Sequence, residues 1–137
     1  MLRGIFSIKL NEGLLNLWLL VFRLGVSAMM LTHGLPKLSR LLPGQEISFP
    51  DPLGIGMWLS LFLAVFAEVI CSLLIILGLA TRLAAVPLVI TMAVAAFMVH
   101  ASDPFVRKEL ALMYLLAYIT LLIAGPGKFS VDRYLKI

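Results

Sequence analysis

One acidic residue in the middle of a membrane-length apolar run constrains this chain more than anything else in it. The run is Trp58–Gly78, WLSLFLAVFAEVICSLLIILG, and the acid is Glu68. About 20 apolar residues suffice to cross a bilayer. A lone charge at mid-membrane costs at least ~2.5–3.5 kcal/mol on insertion scales. Glu68 therefore calls for a cationic partner, and finding that partner arranges the other helices.

The composition agrees with a membrane setting. The chain has 137 residues, 62% hydrophobic and 13% charged, with a mean hydropathy of +1.09. Soluble domains hold about 45–50% apolar and 25% charged residues. A water-soluble fold would lack the polar residues to cover its surface. The expected fold is all-α: an integral membrane four-helix bundle with both termini on the cytoplasmic side.

The net charge of +4 does not indicate a nucleic-acid partner, because the basic residues are scattered at helix ends. They read as topology determinants and lipid headgroup contacts. The single cysteine, Cys71, excludes an internal disulfide. It reads as a small packing residue. Arg3 and Lys9 before an apolar run resemble a signal peptide, but no small-x-small site closes the run. It is read as an uncleaved first helix.

Along the chain, residues 1–13 mix Leu2, Ile5, Phe6, Ile8 and Leu10 with Arg3, Lys9 and Glu12. They are expected to form an interfacial segment lying on the membrane. Residues 14–137 form the transmembrane domain. Its first helix is expected over about 14–36, with Gly34 and Pro36 marking its exit. A loop rich in proline and glycine follows, containing Pro43, Pro50 and Pro52. The second helix covers about 57–78. Leu79-Ala80-Thr81-Arg82 is a very short turn into a third helix over about 83–99, which carries Ala84, Ala85, Ala93, Ala95 and Ala96, small residues that let membrane helices pack closely. Asp103 is the expected N-cap of a fourth helix over about 104–124, with Pro104 in its first position. Gly125-Pro126-Gly127 ends it.

Four spans place both termini on one face. That face holds Arg3, Lys9, Arg82, Lys128, Arg133 and Lys136; the opposite face holds Lys37, Arg40, Arg107 and Lys108. The excess favours termini in the cytoplasm.

Depth then pairs the charges. At about 1.5 Å per residue, Arg23 lies roughly 14 Å from the cytoplasmic surface and Glu68 roughly 15 Å. Opposite charges at one depth on consecutive antiparallel helices are expected to form a buried ion pair, Arg23 with Glu68. By the helical period, Ser27, Met30, His33 or Gly34, and Lys37 share the face of Arg23. Ala64, Val65, Cys71, Ser72 and Ile75 share that of Glu68. A polar seam thus runs up the bundle. At its outer end His33, Lys37, His100 and Glu109 converge from three helices, with Asp103 near the outer surface, and form the candidate ligand-binding group. There is no HxxxH or ExxH spacing, so no metal site is assigned. Arg82, Ser130 and Asp132 form a structural cluster at the cytoplasmic end, with Asp132 placed to meet Arg82. No catalytic residue is assigned.

These residues together resemble the DoxX family of small four-helix membrane proteins. The carrying features are Arg23-Leu24-Gly25, His33-Gly34-Leu35-Pro36-Lys37-Leu38, Glu68, and Leu77-Gly78-Leu79-Ala80-Thr81-Arg82. Pro104-Phe105 with Glu109, and Gly125-Pro126-Gly127 with Ser130 and Asp132, complete them. The resemblance spans about Arg23 to Asp132. It implies a multi-pass protein of the bacterial inner membrane and a quinone-linked or redox-complex membrane subunit, an oxidoreductase component by resemblance alone. No cysteine pair, haem-type motif or dinucleotide loop stands in the sequence. A redox role therefore needs a quinone, or a membrane or redox protein as partner. The alternative readings are a non-enzymatic membrane scaffold and a small transporter working as a homo-oligomer.

Overall fold

A computed structural model describes residues 2–5 and 7–137, without the side chains of Leu2 and Arg3. Among the described residues there is helix and no strand. The order is α1 (Leu2–Ile5), α2 (Glu12–Arg40), α3 (Met57–Leu77), α4 (Thr81–Val99), α5 (Phe105–Ala124) and α6 (Val131–Leu135). Three of them, α2, α3 and α4, are long and apolar enough to cross a membrane. In α5 the run Arg107-Lys108-Glu109 charges the first turns. The interfacial reading of residues 1–13 meets a short helix at Leu2–Ile5 and the start of α2 at Glu12. Its Phe6 lies outside the described residues.

Helix α2 is longer than expected. Asn11 caps it, its side chain accepting from Leu14 N–H at 3.1 Å. The helix then runs through Pro36 to Arg40. Proline removes one backbone hydrogen bond, which membrane helices tolerate when neighbours and hydroxyl side chains compensate. The carbonyl that Pro36 leaves without its N–H is that of Thr32; the Thr32 and Ser39 hydroxyls flank this gap, donating to the carbonyls of Met29 and Pro36, each at 2.6 Å. Pro36 is thus not the exit. The buried stripe of α2 is Leu19, Arg23, Val26, Ser27, Met30 and Gly34, spaced for one helical face.

The turn after α3 is built from two left-handed residues. Gly78 has φ 69° and Ala80 φ 48°. Leu79 N–H donates to Leu74 O at 2.9 Å and Gly78 N–H to Ile75 O at 3.0 Å, which satisfies the last carbonyls of α3. A Cβ on Gly78 would stand 2.6 Å from Ser130 Cβ. Glycine is needed there for space as well as for φ. The turn is shorter than expected, since α4 begins at Thr81. Pro104, with Asp103 outside it, is the N-cap of α5.

The core draws on all four long helices: Val26 and Met30, Ala67, Cys71 and Ile75, Ala84, Ala85 and Leu88, Tyr118 and Leu121. Helix α5 packs along α4, where Ala84, Ala85 and Ala96 supply small buried side chains. A second cluster, Leu61, Val65 and Val69, lies under Ile47 and Phe49 of the long loop. The loop is therefore folded down against α3. Asp51 holds it there, accepting from Ile55 N–H, Gly56 N–H and Ser60 Oγ, each at 2.9 Å. Gly56 offers α3 no side-chain cap, so Asp51 supplies acceptors for the helix start from a distance. Those three hydrogen bonds, Gly56 foremost, hold the Asp51 carboxyl below its ordinary range.

Candidate functional site

Two wide turns interrupt the α-helical pattern, one midway along α3 and one at the end of α4. Phe66–Cys71 in α3 and Ala95–Val99 in α4 are π-helical. Such turns insert an extra residue and are frequent at functional sites. Glu68 sits in the first of them and is 2% exposed.

The partner of Glu68 is Lys37. The Lys37 ammonium lies 2.7 Å from one carboxylate oxygen and 2.8 Å from the other. Its side chain keeps 28% exposure and lies 5.8 Å from the centre of the Phe49 ring. The expected Arg23–Glu68 pair is not formed. The reason is axial register. A Cβ on Gly34 would stand 2.9 Å from Glu68 Cβ, so α2 crosses α3 at the level of Gly34. A Cβ on Gly78 would stand 3.2 Å from Arg23 Cζ, so Arg23 lies at the far end of α3. The depth estimate assumed helices starting and ending together. In fact α2 begins well beyond the end of α3.

Arg23 serves the C-terminal segment instead. It is 2% exposed and donates to the carbonyls of Pro126 and Phe129. Lys128 N–H donates to Asn16 Oδ1 at 2.8 Å, a second tie between that segment and α2.

Beside the Lys37–Glu68 pair is a cavity of about 320 Å³. Its polar groups are Lys37, Glu68, Ser60, Thr91 and His100. The rest of its wall is apolar, with Phe49, Pro50 and Leu53 from the loop, Leu63 and Ala64 from α3, and Ile90, Val94, Ala95 and Val99 from α4. Leu63 and Ile90 are exposed, so the gap between α3 and α4 opens onto the apolar outer surface. An apolar pocket with a few convergent polar groups is the usual form of a small-molecule site.

The structure brings Lys37 and His100 together with Glu68 around this cavity, and leaves His33 and Glu109 out. His33 is exposed and meets the Tyr114 ring edge-on at 5.8 Å between centroids. Glu109 is exposed on α5. His100 Nδ1 is 2.7 Å from Asp103 Oδ2. This hydrogen bond lowers the Asp103 pKa, with further lowering from Arg107. Among the described residues no group of three or more His, Cys, Asp or Glu is placed to hold a metal.

Phe49, Ser60 and Thr91 belong to the cavity but escaped the sequence reading. Phe49 arrives on a loop, where periodicity says nothing. Ser60 and Thr91 are lone hydroxyls in apolar helices, and only the packing of α3 against α4 and the loop shows that they line one cavity with Glu68.

At the opposite end Arg82, Ser130 and Asp132 line one hollow of about 430 Å³. Asp132 does not meet Arg82. Its carboxylate accepts from Ala80 N–H at 2.6 Å and Thr81 N–H at 3.0 Å, the unpaired donors opening α4. Backbone donors at a helix start compete better for a carboxylate than a mobile guanidinium. Arg82 donates to Ile123 O at 3.2 Å. Ser130 caps α6 and donates to Gly127 O at 2.9 Å.

The family model for DoxX matches residues 18–101, more than half of the chain. This chain belongs to the DoxX family. An uncharacterised membrane protein of Mycobacterium tuberculosis is 35% identical over 117 residues, covering 67% of this chain and 71% of its own. An uncharacterised protein of Haemophilus influenzae is 31% identical over 126 residues, covering 85% of this chain and 89% of its own. No solved structure matches. The DoxX match contains α3, α4 and most of α2, and with them Lys37, Glu68 and His100. It is a membrane protein with several apolar helices.

Proposed function

We propose that this DoxX protein is the quinone-binding membrane subunit of a redox complex in the bacterial inner membrane, with four spans and both termini in the cytoplasm. The observation that carries the reading is the cavity: an apolar slot, open to the lipid between α3 and α4, with one polar pole. A quinone has the matching form, an apolar tail on a ring with two carbonyl oxygens. Lys37 Nζ can donate to a ring oxygen, and Glu68 can accept from a ring hydroxyl. Leu63, Ile90 and Val94 would line the tail. The volume of about 320 Å³ is at the lower end of ligand pockets, which run from about 300 to 1,000 Å³, and it accommodates a head group with the tail left in lipid.

When bound, a quinone supplies the capacity to take up electrons and protons. The chain's own part is to orient the ring, keep bulk water from it with Phe49 and the loop, and present charge at its oxygens. Electrons come from a partner subunit on this reading.

The test is extraction of the protein in nanodiscs followed by mass spectrometry of bound lipids, and titration with a short-tail ubiquinone analogue. Bound quinone in the native protein, lost in Lys37→Met and Glu68→Gln, is the expected result. A native protein that carries no quinone and does not bind the analogue overturns the reading.

A further inference from the structure

Five buried side-chain atoms have no hydrogen-bond partner among the described residues: Arg23 Nε, Ser27 Oγ, Ser72 Oγ, Thr81 Oγ1 and Tyr118 OH. Four of them fall in one column. Ser72 follows Glu68 by one turn on α3, and Ser27 follows Arg23 by one turn on α2. The register that sets Gly34 against Glu68 and Gly78 against Arg23 places Ser27 and Ser72 between those two levels. Tyr118 enters from α5, its hydroxyl beside that of Ser72 but outside hydrogen-bond geometry. The column therefore reads Glu68, Ser72 with Tyr118, Ser27, Arg23. It covers about 15 Å, ten residues of helix rise. Ser27, Ser72 and Tyr118 are each 0% exposed.

Buried hydroxyls without partners are costly, and proteins satisfy them with internal water that makes two to four hydrogen bonds. A column of them, with a carboxylate at one end and a guanidinium at the other, is a place where such waters would stand in line. Arg23 carries the positive charge at the far end, and Asp132 lies near enough to offset it.

We infer that this column is a hydrated track through which Glu68 exchanges protons with the face of the protein that carries the termini. The inference does not depend on what occupies the cavity. In the step, one proton enters from water at the Arg23 end. Each water or hydroxyl accepts a proton and releases another, and the Glu68 carboxylate takes the last. No other bond changes. The groups facing Glu68 are Lys37 from α2, Tyr114 and Tyr118 from α5, Cys71 on its own helix and His100 across the cavity. A proton on Glu68 removes the negative charge from the Lys37 pair and leaves the ammonium to the cavity.

Hydroxyl-radical footprinting of the full chain in nanodiscs tests for the water. Radicals made from held water oxidise the side chains beside it. Met30 and Tyr118 flank the column, and Leu61, equally buried, belongs to the separate cluster under the loop. With each rate corrected for the residue's intrinsic reactivity, oxidation of Met30 and Tyr118 at least tenfold faster than Leu61 is expected; equal rates overturn the track. Infrared spectroscopy tests the proton. Lys37→Met removes the counter-charge, so Glu68 takes up a proton and shows a carboxylic band, identified by its loss in Lys37→Met/Glu68→Gln. On transfer to heavy water, that band is expected to shift at least tenfold more slowly when Tyr118→Phe or Ser72→Ala is added. An unchanged rate assigns access to the cavity side and overturns the proposal. Should the variants not fold, the footprinting of the native chain decides alone.

Discussion

Gly34 and Glu68 are packed so closely that a single added methyl group would not fit between them. A Cβ at position 34 would lie 2.9 Å from Glu68 Cβ and 2.8 Å from Val69 Cγ2. This approach sets the level at which α2 crosses α3, and so brings Lys37, three residues further along, over the carboxylate. Gly34→Ala should destabilise the protein by about 1–3 kcal/mol, the usual cost of overpacking. Gly25→Ala is the control, since a Cβ there meets nothing within 4 Å, and should leave stability unchanged or raise it by up to about 1 kcal/mol through helix propensity. Unfolding in mild detergent compares the two.

Lys37 and Glu68 should be coupled, and Arg23 and Glu68 should not. Lys37→Met or Glu68→Gln alone leaves a charge without its partner. Fully buried pairs lose ~3–5 kcal/mol in such cases. The 28% exposure of the Lys37 side chain reduces this to roughly 1–3 kcal/mol. The double variant should recover part of the loss. Arg23→Ala with Glu68→Gln should be additive within about 0.5 kcal/mol, as distant sites are. Two thermodynamic cycles by chemical denaturation measure both, and coupling in the Arg23 cycle would contradict the observed register.

Asp132 joins the C-terminal helix to the start of α4. Removing its carboxylate leaves Ala80 N–H and Thr81 N–H without acceptors. Asp132→Ala should cost about 1–2 kcal/mol, in the range of a lost helix cap. Asp132→Asn, which keeps one acceptor oxygen, should cost less. Proteolysis of the tail after Gly125 should accelerate in the same order.

Asp51 should make the long loop sensitive to acid. Backbone donation from Gly56, with Ser60 and Ile55, lowers its pKa in the folded protein. A carboxylate with a lowered folded pKa contributes stability above its unfolded value, and that contribution is lost as pH falls through the folded value. The loop should therefore hold at neutral pH and loosen only below about pH 4, the ordinary aspartate range. Fluorescence of Trp58, in the first turn of α3 and stacked on Phe62 at 5.4 Å, should report a transition there. Asp51→Asn should remove it.

Much of the bundle can be read from residue type and spacing. The apolar runs, the short α3–α4 turn and the inward faces of α2 and α3 all follow from period and punctuation. Arg23, Ser27, Met30 and Gly34 are buried on one face of α2, and Ala64, Val65, Cys71, Ser72 and Ile75 on one face of α3. His33 shows the limit of that reasoning. It shares the period with Gly34 to within one residue, and that one residue turns it from α3 toward Tyr114. Pro36 shows another. Proline ends many helices in water, yet here the helix goes on through Pro36 to Arg40 at the loss of one backbone hydrogen bond.

By itself the sequence determined that Glu68 must be buried in an apolar bundle and must have a cation. That follows from the cost of a lone charge among hydrocarbon side chains, whatever the partner. Only the tertiary structure decided which cation it was. Arg23 and Lys37 lie on the same face of the same helix, and period cannot choose between them. The choice rests on how far α2 slides along α3. That slide is fixed by the missing side chain of Gly34 against Glu68 and by that of Gly78 against Ser130 and Arg23. Close packing at two glycines, rather than the attraction of the charges, sets the register, and the charges pair with whatever that register brings within reach.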